Sequence, residues 1–178
     1  MGMDKLDGID VSTLKLVKYP DPRLREACTA VTLFDERLKA LAVKMLEVMY
    51  QSNGVGLAAP QVGVSIRLFV ADPTRELGDA RVYIDPVLID NKGTQDGEEG
   101  CLSFPMAVCR VKRYAVTTIR AQDLDGQTFE ETGEELLARI LQHEYDHLEG
   151  VLLVDRMSPT AKIANRRILK ELEESFSG

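Results

Sequence analysis

The sequence predicts an α+β domain in which small mixed or antiparallel β-sheets pack around a central helix, with one further helix towards the N-terminus and one at the C-terminus. Three observations predict it. Apolar residues recur at helical spacing in three separate stretches, short β-rich runs fill the middle, and no repeat, low-complexity tract or linker divides the chain. With 178 residues, 44% of them apolar, and only 13 glycines and 7 prolines, residues 1–178 read as one domain with a sizeable core.

The elements follow in order. Pro20 and Pro22 punctuate residues 19–25, which read as an extended arm laid on the domain. Leu38, Leu41, Ala42, Met45, Val48 and Met49 then mark the first helix, with Asp35 as its N-cap and Ser52, Asn53 and Gly54 at its end. Runs rich in β-formers at 66–71, 81–84, 87–89 and 115–121 predict short strands, and Asp125-Gly126 predicts a hairpin turn. Thr132-Gly133-Glu134-Glu135 has the form of a capping box, so a second helix is expected to begin there. It carries Leu136, Leu137, Ile140 and Leu141 and stops at Gly150. Ser158-Pro159 opens a third helix through Ile168, Leu169, Leu172 and Phe176, whose basic half holds Arg166, Arg167 and Lys170.

The formal charge of −7 argues against a general DNA or RNA binder, because phosphate recognition needs clustered cations. No run approaches the roughly 20 apolar residues of a membrane span, and no apolar leader core follows a basic flank. A cytoplasmic location is expected. Three cysteines, Cys28, Cys101 and Cys109, cannot all pair with one another, which leaves at least one free.

Chemistry concentrates in the second helix. His143 and His147 lie one turn apart, so both imidazoles leave the same face and can grip one metal ion. Glu144, about 100° round the helix, can reach a water on that metal. The chain has only two histidines, and both fall in this His-Glu-x-x-His pattern. Each continues the apolar stripe through Leu136 and Ile140, while Glu144 continues the one through Leu137 and Leu141. Polar groups placed on core-facing stripes are costly unless something pairs with them. A metal site is the expected partner.

A catalytic site usually needs a third protein ligand and one open position. The protease class that adds a third histidine would need it at 153, where Leu153 stands. Glu171, Glu173 and Glu174 sit in a charged terminal helix that reads as a solvated face. Cys101, beside Gly100, is the better candidate, while Cys28 and Cys109 read as small buried apolar residues. A thiolate with two imidazoles suits Zn²⁺ and Fe²⁺ alike.

Residues 54–61 (Gly-Val-Gly-Leu-Ala-Ala-Pro-Gln), 99–103 (Glu-Gly-Cys-Leu-Ser) and 142–147 (Gln-His-Glu-Tyr-Asp-His) resemble the three signature motifs of peptide deformylases, in the family's order and approximate spacing. The resemblance implies removal of the N-terminal formyl group from N-formylmethionine on nascent polypeptides, with formate released. It implies Fe²⁺ as the usual metal, with Zn²⁺, Ni²⁺ or Co²⁺ acceptable in purified protein, on Cys101, His143 and His147. Glu144 would shuttle the proton, and the side-chain amide of Gln61 with the backbone N–H of Leu102 would stabilise the oxyanion.

Gly54 and Gly56 suit close approach of a peptide, which would add as a strand along residues 55–57. Val55, Gly56, Gly100, Phe104 and Ile140 are expected to contact the substrate, its methionine entering an apolar pocket. Glu99, Arg113 and Asp146 are expected to form a charge cluster fixing the Cys101 segment against the helix. Two departures from the family stand out. Residues 106–110 (Met-Ala-Val-Cys-Arg) lack the glycine or charges often found after this proline, and Asp85 stands where asparagine is more usual. Two rivals are a general metallopeptidase and a metal-stabilised interaction module without turnover, docking to the ribosome through the basic half of the last helix.

Overall fold

The computed structural model describes residues 6–76 and 78–177. The first helix, α1 (Glu36–Gln51), is capped by Asp35, whose carboxylate accepts from the N–H groups of Arg37 and Leu38 at 3.0 and 3.2 Å. Its buried face comprises the six apolar residues at helical spacing, of which the five leucine, methionine and valine side chains contribute about 1.5–3 kcal/mol each through burial. They pack on β1 (Gly56–Ala58) and β2 (Leu68–Ala71), forming one of three core clusters.

A five-stranded antiparallel sheet runs in the order β1, β2, β3 (Arg81–Lys92), β6 (Val116–Gln122), β7 (Thr128–Glu134). A separate hairpin joins β4 (Gln95–Cys101) to β5 (Phe104–Arg113). The two runs expected at 81–84 and 87–89 are one strand. Asp85, at φ +47°, and Pro86 form an irregularity inside it, and the Asp85 carboxylate accepts from Val31 N–H at 3.0 Å. Gly126, at φ +76°, turns β6 into β7 as expected, with Asp123 accepting from Asp125 and Gln127.

The capping box at 132–135 is not formed. Thr132 belongs to β7, paired with Thr118 of β6, and Glu134 precedes the helix without a side-chain cap bond. The strand takes those residues because pairing with β6 satisfies their backbone groups. Helix α2 (Glu135–Leu148) follows, closed by Gly150 at φ +69°. It packs against β1, β2, β6 and β7 and also touches β5, so it stands between sheet and hairpin.

The single third helix expected from Ser158 is divided into α4 (Pro159–Ala164) and α5 (Arg166–Ser175), preceded by the short α3 (Leu153–Arg156). Ser158 caps α4 as expected, accepting from Ala161 N–H at 3.1 Å. Asn165 breaks the run because its amide is drawn sideways. It accepts from Val108 N–H at 3.3 Å and donates to Val108 C=O at 3.0 Å, closing the outer edge of β5. Ile168, Leu169 and Leu172 pack on the cluster around β5, while Phe176 lies past the helix end and is exposed. The arm at 19–25 contains a tight turn, Pro22–Arg25, capped by Asp21. Among the described residues, no helix is long and apolar enough to cross a membrane.

Candidate metal centre and active site

Helix α2 brings His143 and His147 to one face with ring centroids 5.0 Å apart. Cys101, the last residue of β4, reaches across from the hairpin, and its Sγ lies 3.4 Å from His147 Nε2. The ligand atoms of Cys101, His143 and His147 all lie within 4.8 Å of one another, the one such trio among the described residues. The three come from two elements far apart in sequence that only the hairpin fold joins.

Glu99 decides which ring atom of His143 is available. Its carboxylate accepts from the His143 Nδ1–H at 2.7 Å, so Nε2 is left to face the sulfur. Arg113 bonds both Glu99 oxygens, at 3.0 and 2.6 Å, and Asp146 at 2.6 Å; Arg156 holds the other side of Asp146. The expected cluster of Glu99, Arg113 and Asp146 therefore exists, and it is buried. Burial alone would push the Glu99 carboxyl up, but hydrogen bonds from His143 and Arg113 outweigh it and hold the group well below the usual carboxylate range.

Sequence reasoning missed Arg139. Its guanidinium donates to Glu99 Oε2 at 2.8 Å and to Val111 C=O at 3.0 Å, making a second buried cation on the same carboxylate. The available signal was its position, four residues before His143 and so on the same helix face.

Glu144 is 4% exposed, and burial pushes its carboxyl up to about 7. Its Oε2 finds no hydrogen-bond partner. Opposite lies Gly56, where an added Cβ would sit 2.5 Å from Glu144 Oε1. Two positions earlier, a Cβ on Gly54 would meet Leu102 Cδ1 at 2.6 Å. These glycines let one wall of the cleft approach the other.

Gln61 is buried, and its side chain is oriented at both ends. Oε1 accepts from Ala58 N–H at 2.9 Å, while Nε2 donates to Ser103 Oγ at 3.1 Å and to Cys101 Sγ at 3.5 Å. The amide donor thus points at the Cys101 segment. A cavity of about 600 Å³ opens beside these groups, and all of the expected substrate residues, Val55, Gly56, Gly100, Phe104 and Ile140, line it. Gln61, Leu102, His143 and Glu144 line it as well. Leu153 is a core residue with no ligand atom and Glu173 accepts from the Tyr19 hydroxyl at 2.7 Å, so neither belongs to the trio. Cys109 is buried and Cys28 half-buried.

The polypeptide deformylase family model matches residues 13–162. The chain belongs to that family. It is 49% identical over 158 residues to a peptide deformylase of Acidobacterium capsulatum, covering 87% of this chain and 93% of that one. A crystal structure of a peptide deformylase from Legionella pneumophila superposes with a TM-score of 0.86 at 43% identity, covering 90% of this chain and 95% of the other. A Plasmodium falciparum peptide deformylase gives the same TM-score at 37% identity, covering 92% and 100%. Membership makes the chain a hydrolase acting on formylated N-termini, in a family that depends on metal. Cys101, His143 and His147 fit that requirement, since a thiolate and two imidazoles within 4.8 Å suit a borderline divalent ion.

Proposed function

We propose that this cleft removes the formyl group from N-formylmethionyl peptides, releasing formate. The observation that carries the reading is the convergence of Cys101, His143 and His147 beside a buried carboxylate, Glu144, at the end of an apolar cavity. Cys101, His143 and His147 would hold Fe²⁺, with Zn²⁺, Ni²⁺ or Co²⁺ also suited to the donors. When bound, the ion supplies Lewis acidity to a water and to the formyl oxygen.

The chain's own groups do the rest. Glu144 takes a proton from the attacking water and delivers one to the departing amine. Gln61 Nε2–H, aimed by the Ala58 bond, and the N–H of Leu102 donate to the oxygen on which charge develops. Glu99 keeps His143 in one tautomer and one orientation. The peptide backbone adds along residues 55–57, and the methionine side chain enters between Val55, Phe104 and Ile140. Because the substrate is a nascent chain, we place the activity in the cytoplasm. The exposed Arg166, Arg167 and Lys170 of α5 are the surface offered to the ribosome.

The test is formate release from formyl-Met-Ala-Ser by protein loaded anaerobically with Fe²⁺. Glu144→Ala should lower turnover by about 10²- to 10⁴-fold with metal retained, and Cys101→Ala should lose the metal. No formate, or full activity in either variant, overturns the reading. Internal cleavage of an unformylated peptide would instead mark a metallopeptidase.

A further inference from the structure

Resting on the deformylase reading, we propose that Val17 and Tyr19 of the N-terminal arm, together with Ser103, are positioning residues. They set the separation of the two oxyanion donors, Gln61 Nε2–H and Leu102 N–H. Nothing in the chemistry described above uses the arm, yet its backbone joins the two segments that carry those donors. Val17 N–H donates to Gln61 C=O at 2.7 Å, and Tyr19 N–H donates to Ser103 C=O at 2.9 Å.

Those segments belong to different bodies of the fold. Gln61 lies in the short turn Ala59–Val62, which follows β1 of the five-stranded sheet, whereas Leu102 and Ser103 form the tip of the separate hairpin between Cys101 and Phe104. Two donors on separate bodies keep their spacing only if something spans the gap, and a misplacement of about 1 Å can cost about 10²-fold in rate. The arm spans it and is itself well fixed. Val17 is buried, the Tyr19 ring stacks on Phe104 with centroids 4.7 Å apart, and the Tyr19 hydroxyl is held by Glu173.

Ser103 adds a side-chain link across the same gap. An amide nitrogen carries two hydrogens. The hydroxyl oxygen of Ser103, a fully buried residue, takes one of them from Gln61 Nε2 at 3.1 Å and thereby fixes the direction of the other. The second hydrogen is left on the side of Cys101 Sγ, 3.5 Å from the nitrogen, and is the one offered to the oxyanion. Val17, Tyr19 and Ser103 do not line the cavity, although their neighbours Leu16, Lys18, Leu102 and Phe104 do, so the three act only through the donors they hold. The oxyanion develops past the ground state, and loss of aim therefore lowers kcat and leaves KM unchanged.

The experiment measures kcat and KM for formate release from formyl-Met-Ala-Ser by Fe²⁺-loaded protein, per bound metal. Ser103→Ala removes the acceptor and Val17→Pro removes one N–H; each should lower kcat about tenfold with KM within about twofold. Ser103→Ala deletes a single oxygen, so it decides the question should Val17→Pro not fold. Gln61→Ala alone should lower kcat about 10²- to 10³-fold. A separation between two donors has no meaning once one is gone, so adding either variant to Gln61→Ala should bring less than about a further twofold. A purely structural role would cost the same factor in both backgrounds. Wild-type kcat in either variant, a raised KM in place of a lowered kcat, or losses that multiply in full with that of Gln61→Ala overturn the positioning role and leave deformylation standing. No formate from the wild type overturns the deformylase reading and this role with it.

Discussion

The two walls of the cleft are built on opposite plans. On the α2 side, Glu99, Arg113, Arg139, Asp146 and His143 form a buried, fully bonded set of charges. On the opposite side, residues 54–56 contribute mostly backbone, fixed by the Asp72 N–H donating to Val55 C=O at 2.8 Å and fitted by the absence of side chains at Gly54 and Gly56. The difference shows how one site meets two demands. Ligand atoms must be held to a fraction of an ångström, which needs many directional bonds, whereas a peptide needs a flat surface that comes close.

Breaking the charged wall should have the largest effect. Glu99→Gln leaves Arg113 and Arg139 facing a neutral group and unlocks His143. Metal affinity should fall about 10- to 100-fold, and stability should drop by about 3–5 kcal/mol; competition with a chelator and urea unfolding read the two separately. Loss of stability without loss of metal affinity would make the network structural only.

An addition to the bare wall should act on rate rather than on metal. In Gly56→Ala the new methyl must push Glu144 aside, so kcat/KM should fall about tenfold while metal content stays at wild-type level. Reduced metal content would mean that the walls are not independent.

The smallest effect on the site itself is expected behind the bare wall, at Asp72, which accepts from Tyr50, Thr74 and Arg75. Burial raises its carboxyl, but these bonds prevail and leave it below the ordinary value, and Tyr50 is pushed up to about 12. Asp72→Asn should cost about 2 kcal/mol near neutrality. A depressed carboxylate stabilises only while ionised in the folded state, so its contribution is complete above about pH 4 and fades as acid protonates it. The gap between variant and wild type in thermal melts should therefore close in acid. A gap that persists at low pH would assign the cost to packing.

The metal helix was legible because its information is local: one helical turn sets the two histidines, and a stripe of leucines sets the buried face. The hairpin carrying Cys101 was not. Asp96, Gly97, Glu98, Glu99 and Gly100 have little intrinsic β preference, and they form a strand because β5 pairs with them. Arg139 was missed for a related reason, since only that hairpin supplies the carboxylate that makes a buried cation affordable. Thr132 and Asn165 were misread where a neighbour elsewhere in the chain overrode the local signal.

The Asn165 clamp has a consequence for solubility. A two-stranded hairpin has two open margins, and an open margin on an apolar strand invites the strand of another molecule, the first step of aggregation. By taking up the N–H and C=O of Val108 with a side-chain amide, the junction of α4 and α5 leaves no room there for an intruding chain. A side-chain amide thus guards the hairpin from the wrong strand: that of another copy of the protein.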